Sequence, residues 1–146
     1  MYYIISTLIE SMNGTGQFEF RLDLRSGVPV YRQLIDQVQA GIASGTLSVG
    51  DRLPTVRQAA VDLEVNPNTV MRAYREMEIR GVLDTQQGTG TFIAAKQIQR
   101  SDVEHERQLQ QLVDEFAARA GAGGFTLSEV IEALQERVPD SGRKRR

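Results

Sequence analysis

Asn68, Thr69 and Arg72 occupy neighbouring helical steps, and their side chains carry donors and acceptors that match exposed base edges. An arginine fork pairs with O6 and N7 of guanine, and an asparagine amide pairs with N6 and N7 of adenine. Arg75 extends this polar side by about a turn. Upstream, Arg57 falls in the first turn of a helix opened by Thr55, on the side opposite Val56 and Ala60, where it and the local amides can grip a phosphate. An ion pair with Asp62 or Asp51 is the alternative use of Arg57, and at a surface such a pair is worth little. Arg52 stands just outside the Thr55 cap as a further cation. Asn66, directly before Pro67, has the chemistry of a helix cap and borders the same cluster. Gln87, Gly88 and Gly90 belong to a loop whose glycines accept positive backbone angles and allow close approach to another backbone, as entry into a minor groove requires. Together Arg52, Thr55, Arg57, Asn66, Asn68, Thr69, Arg72, Arg75, Gln87, Gly88 and Gly90 form a candidate surface for double-stranded DNA.

Catalytic chemistry finds little support. Cysteine is absent, which removes disulfides, thiolate metal sites and a thiol nucleophile together. The sole histidine, His105, lies in a charged helical start. There is no glycine-rich phosphate loop with a lysine, no carboxylate pair at metal-ligand spacing and no nucleophile elbow. We therefore assign no catalytic residue, no metal and no cofactor.

The elements that must position the cluster follow from periodicity. Phe18 to Arg25 alternates apolar and charged residues, which predicts a strand buried on one face and ended by Ser26-Gly27. Pro29 suits a first helical position, and Tyr31, Leu34, Ile35, Val38 and Ile42 make one apolar stripe on a first helix stopped by Gly45. Thr55 and Gln58 have capping-box spacing, with Val56, Ala59, Ala60 and Leu63 as the inner face of a short second helix. Asn66-Pro67 ends that helix and starts a third, which runs to about Arg80 with Val70, Ala73, Tyr74 and Met77 inward and Gly81 beyond. Val82-Leu83 and Thr91-Phe92-Ile93, joined by a glycine-bearing loop, predict a hairpin. Strand, three helices and hairpin in that order give an α+β winged helix-turn-helix.

From Ser101 the pattern changes to a longer helix with the stripe Leu109, Leu112, Val113 and Phe116, broken by glycines at 121, 123 and 124. Thr126 or Ser128 then caps a second helix bearing Leu127, Val130, Ile131, Leu134 and Val138. Two such helices enclose little apolar surface alone, so packing against a second copy is the economical reading. The contact is expected to use Leu109, Leu112, Val113, Phe116, Val130, Ile131 and Leu134.

At 146 residues with 40% apolar and 25% charged residues, the chain has globular composition. The reading divides it into an N-terminal extension (1–16), a DNA-binding domain (17–96), a helical dimerisation element (97–138) and a basic flexible tail (139–146). The apolar opening Met1 to Glu10 is too short to span a membrane and lacks the basic start of a signal peptide, so a cytoplasmic protein without a membrane partner is expected. Met12 is an alternative start. The formal net charge of −2 counts mildly against nucleic acid as a partner. Its distribution counts the other way: Asp102, Glu104, Glu106, Asp114 and Glu115 crowd the region after Ser101, while Arg52, Arg57, Arg72, Arg75 and Arg80 lie within one stretch.

Pro29-Val30-Tyr31-Arg32-Gln33, the run Gly50 to Arg57 and the run Val65 to Tyr74, followed by Gly88-Thr89-Gly90-Thr91-Phe92, resemble the GntR family of bacterial regulators over about residues 17 to 95. The resemblance implies DNA-binding roles for Arg57, Asn68, Thr69, Arg72 and Gly88, and operators of two-fold symmetry. The short helical tail is similar to that of the YtrA-type subgroup, which implies a homodimeric repressor, often of a transporter operon. Glu64 departs from the glycine common in the family's turn, and Met71 places an apolar residue on the presumed groove side. A winged helix serving as a protein-interaction adaptor without DNA binding is the alternative. Whether a small-molecule effector binds stays open.

Overall fold

Gln33 and Gln37 lie one turn apart on helix α1 (Val30–Ser44), and their side-chain amides organise the segment that precedes it. The computed structural model describes residues 18–95 and 101–139; the expected extension over 1–16 and the basic run Arg143 to Arg146 lie outside them. Arg21 N–H donates to Gln37 Oε1 at 2.9 Å while Gln37 Nε2 donates back to Arg21 O at 2.5 Å. Asp23 N–H donates to Gln33 Oε1 and Gln33 Nε2 to Asp23 O, both at 2.9 Å. The spacings match, because four helical residues rise about 6 Å and two extended residues about 6.6 Å.

This corrects the strand expected over Phe18 to Arg25: the segment is extended but belongs to no sheet. Its alternation still reports the buried side. Phe20 enters the core, with Phe18 and Leu22 packed against it, whereas Leu24 points to solvent. A strand pattern arises wherever one face of an extended chain is covered, and here the hydrogen-bonding edge is a helix rather than a strand.

Helix α1 starts one residue later than expected, with Pro29 as its cap, and ends at Gly45 with φ 81°. Leu34, Ile35 and Val38 are fully buried, but Ile42 is partly exposed. Gly41 takes the inward place instead, and Leu47 folds down on it so closely that a Cβ there would stand 2.9 Å from Leu47 Cδ1.

Strand β1 (Arg52–Leu53) leads into α2 (Val56–Leu63), and α3 (Pro67–Ile79) follows. Thr55 Oγ1 accepts Gln58 N–H at 3.0 Å, while the Gln58 side chain reaches forward to Asp62 Oδ1 at 2.7 Å rather than back, so only half of a capping box forms. Glu64 ends α2 with φ 55° and ψ 42°, in the left-handed region, and Val65 N–H donates to Ala60 O at 3.1 Å. This wrap reverses the chain. Asn66 Oδ1 accepts Asn68 N–H at 2.8 Å and Pro67 takes the first helical place.

Strands β2 (Leu83–Gln86) and β3 (Gly90–Ile93) form the hairpin, and β1 completes an antiparallel sheet of order β1-β3-β2, with Arg52 opposite Phe92 and Asp84 opposite Phe92 on the other side. Two residues of β1 carry too little pattern to be recognised from sequence. Leu53, Leu83 and Ile93 send side chains from the sheet into the core formed by α1, α2 and α3.

The chain divides into two compact units between Lys96 and Gln97. In the second, α4 (Asp102–Ala122) is capped by Ser101 and α5 (Leu127–Gln135) by a complete capping box: Glu129 N–H donates to Thr126 Oγ1, and Thr126 N–H to Glu129 Oε2 at 2.7 Å. Donation to Glu129 Oε2 from the Thr126 N–H, and from the Thr126 hydroxyl at 2.8 Å, holds the Glu129 carboxyl below the ordinary glutamate range. Of α4 and α5 only Ala120 is buried, and Leu109, Leu112, Val113, Phe116, Ile131 and Leu134 remain about half exposed.

Candidate nucleic-acid interface

Val70, Ala73, Tyr74 and Met77 anchor one side of α3 in the core, and helical geometry then sends Asn68, Met71, Arg72, Arg75 and Ile79 outward. All five are exposed, while Thr69 is partly covered. The turn at Glu64 brings α2 against the same helix. Two polar ties fix the orientation of α3. Tyr74 Oη donates to Pro54 O at 2.5 Å across the core, and burial pushes its phenol well above the ordinary tyrosine range. Thr85 Oγ1 donates to Glu78 Oε1 and lies 3.1 Å from Thr91 Oγ1, which couples the outer end of α3 to the hairpin.

Arg72 does not extend freely from the helix. Its guanidinium carbon stands 3.8 Å from the centroid of the Tyr31 ring, so the start of α1 supports the cation from below. Sequence periodicity places Tyr31 in an apolar stripe, and the ring is half-buried as that implies. Its partnership with Arg72 carried no sequence signal, because the two residues meet only when α1 packs on α3.

Arg57 is exposed in the first turn of α2 and makes no ion pair among the described residues; Asp62 accepts from Gln58, and Asp51 Oδ2 from Ser48 N–H at 2.8 Å. Arg75 is likewise exposed and unpaired among the described residues. Arg80, by contrast, pairs with Glu76 at 2.5 Å on its own helix. Thr55 and Asn66 both serve as caps, and the Asn66 amide nitrogen has no partner among the described residues.

Arg52 lies across the hairpin: a Cβ on Gly90 would come within 2.8 Å of Arg52 Nε. Gly90 has φ 144°, and Gly88 has φ 77° in the turn closed by Thr89 N–H donating to Gln86 O at 3.0 Å. Gln87 and Gly88 are exposed at the tip of that turn. The structure thus collects Arg57, Asn68, Arg72 and Arg75 on the helix-turn-helix, and Arg52, Gln87, Gly88 and Gly90 on the sheet. The acidic residues of α4 belong to the second unit. Among the described residues no group of three or more histidine, cysteine or acidic side chains is arranged to hold a metal, and no helix is long and apolar enough to cross a membrane.

A tight two-helix turn presenting one exposed helix, followed by a hairpin wing, is the winged helix-turn-helix of a DNA-binding transcriptional regulator. The model of bacterial regulatory proteins, gntR family, matches residues 30–93, and the chain belongs to this GntR family. It is 35% identical over 111 residues to the HTH-type transcriptional regulator YhcF of Bacillus subtilis (strain 168), across 76% of this chain and 91% of that protein. It is 33% identical over 120 residues to the HTH-type transcriptional repressor YtrA of the same organism, across 80% and 89% respectively. A crystal structure of a transcriptional antiterminator from Listeria monocytogenes EGD-e is similar with a TM-score of 0.60 and 28% identity, over 82% of this chain and 90% of that one.

Proposed function

We propose that the protein is a homodimeric repressor that binds a palindromic operator, with Asn68, Thr69, Arg72 and Arg75 at base edges in the major groove. The observation that carries this reading is the exposed amide and arginine face of α3, whose opposite face is anchored in the core. Arg57, with the capped helix starts at Thr55 and Asn66, holds phosphates. Arg52, Gln87, Gly88 and Gly90 form the wing that follows the minor groove.

Dimerisation is assigned to residues 97–138, through Leu109, Leu112, Val113, Phe116, Val130, Ile131 and Leu134, with 139–146 as a basic tail. The support is chemical: Leu109, Leu112, Val113 and Phe116 on α4 and Leu127, Ile131 and Leu134 on α5 are apolar and about half exposed within the second unit, while Val130 is partly covered. Such surface is normally covered. Two recognition helices in successive major grooves would sit about 34 Å apart. Repression then follows from occupancy of the operator, without catalysis, in the cytoplasm. Similarity to a relative named as a repressor supports that direction, and the subgroup resemblance adds a transporter operon as the regulated unit.

Selection of bound fragments from the source genome, followed by titration at several salt concentrations, tests this. The expected result is a set of fragments sharing a dyad-symmetric motif, with affinity falling steeply as salt rises. Absence of any salt-dependent binding would leave the adaptor reading instead.

A further inference from the structure

Met71 lies on the outward side of α3 between Asn68 and Arg75, with 45% of its surface exposed, whereas Val70 beside it is fully buried. Single exposed apolar side chains are common on protein surfaces, but this one stands on the face of α3 that the operator-binding reading turns toward base edges. Val56, at the start of α2, lines the same notch as Met71 and Arg75, together with Glu78, Thr85 and Thr91. Within a B-form major groove the base edges offer donors, acceptors and one apolar group, the C5 methyl of thymine. The thioether chain is unbranched and adaptable, which suits contact with such a small projection. Ile79 is also exposed, but it stands eight residues further along α3, about 12 Å away, beyond the N-terminal end that meets base edges.

We propose that Met71 is a specificity-determining residue that reads a thymine through its methyl group. The inference rests on the operator-binding reading above and adds one base class to it. Asn68 and Arg75, on either side, hold the register that brings the thymine under Met71.

Duplexes selected from a random-sequence pool by the wild-type chain provide the probe, with each thymine then replaced singly by deoxyuracil, which removes only the methyl. Wild-type affinity is expected to fall about three- to fivefold at one thymine position, the scale of one buried methyl group. Met71→Ala is expected to bind the thymine and deoxyuracil duplexes equally at that position, while Met71→Leu keeps a preference for thymine. Because Met71 lies outside the core, its truncation leaves the fold standing. Wild-type indifference to deoxyuracil at every position, or an undiminished penalty in Met71→Ala, overturns the proposal. Failure of the wild type to select any sequence overturns the operator-binding reading and this one with it.

Discussion

The Arg72 guanidinium lies 3.8 Å from the centre of the Tyr31 ring, so a residue on α3 is held in place by one on α1. Stacking of this kind is worth roughly 0.5–1 kcal/mol at an exposed site. It also limits the directions in which a long, mobile side chain can reach. Tyr31 is therefore a positioning residue for Arg72. Tyr31→Ala should weaken operator binding by about 0.5–1 kcal/mol, and Tyr31→Phe, which keeps the ring, should not. Arg72→Ala should cost about 1–3 kcal/mol and blur the base preference. Gel-shift titrations of both single variants and the double variant decide the matter, because the Tyr31→Ala loss should vanish once Arg72 is gone.

Arg57 has no acidic partner among the described residues, which suits a phosphate contact. Arg57→Ala should weaken binding to all duplex sequences alike and lower the slope of log affinity against log salt by about 1. A change confined to one sequence would assign Arg57 to a base instead.

Glu64 is the non-glycine residue with positive φ among those described. A side chain in that region costs roughly 1–2 kcal/mol, and glycine returns about 0.5–1 kcal/mol of this through its greater freedom when unfolded. Glu64→Gly should raise stability by up to about 1 kcal/mol, read from the denaturant midpoint, with DNA affinity unchanged.

Tyr74 joins the buried edge of α3 to Pro54. Tyr74→Phe leaves that carbonyl without its donor and should cost about 1–2 kcal/mol. The raised phenol also has a pH signature. Folding favours the protonated form, so its contribution is complete below the unfolded value of 10.0 and is lost as pH rises above it. The urea midpoint of the wild type should therefore decline in that alkaline range more steeply than that of Tyr74→Phe.

Phe116 and Ile131 sit on the half-exposed stripes of α4 and α5. Replacing both by aspartate should convert the proposed dimer to monomers in sedimentation equilibrium and weaken binding to a two-half-site duplex far more than to a single half-site. An unchanged mass would place the dimer contact elsewhere.

Much of this was legible before any coordinates, because helix caps and stops depend on residues within one turn of one another. Thr55, Asn66-Pro67, Gly45 and Thr126 mark their boundaries by local hydrogen bonding and backbone preference alone. The inward residues of α3 follow equally from a period of 3.6, and with them the outward set that includes Arg72. Only the packed structure decided that Phe18 to Leu24 pairs with Gln33 and Gln37 instead of a strand, that Arg52–Leu53 completes the sheet, and that Tyr31 lies beneath Arg72. Alternation and periodicity state which side of a segment is covered but not by what. The partner is settled when distant faces come together, and that information lies in no window of the chain short enough to read.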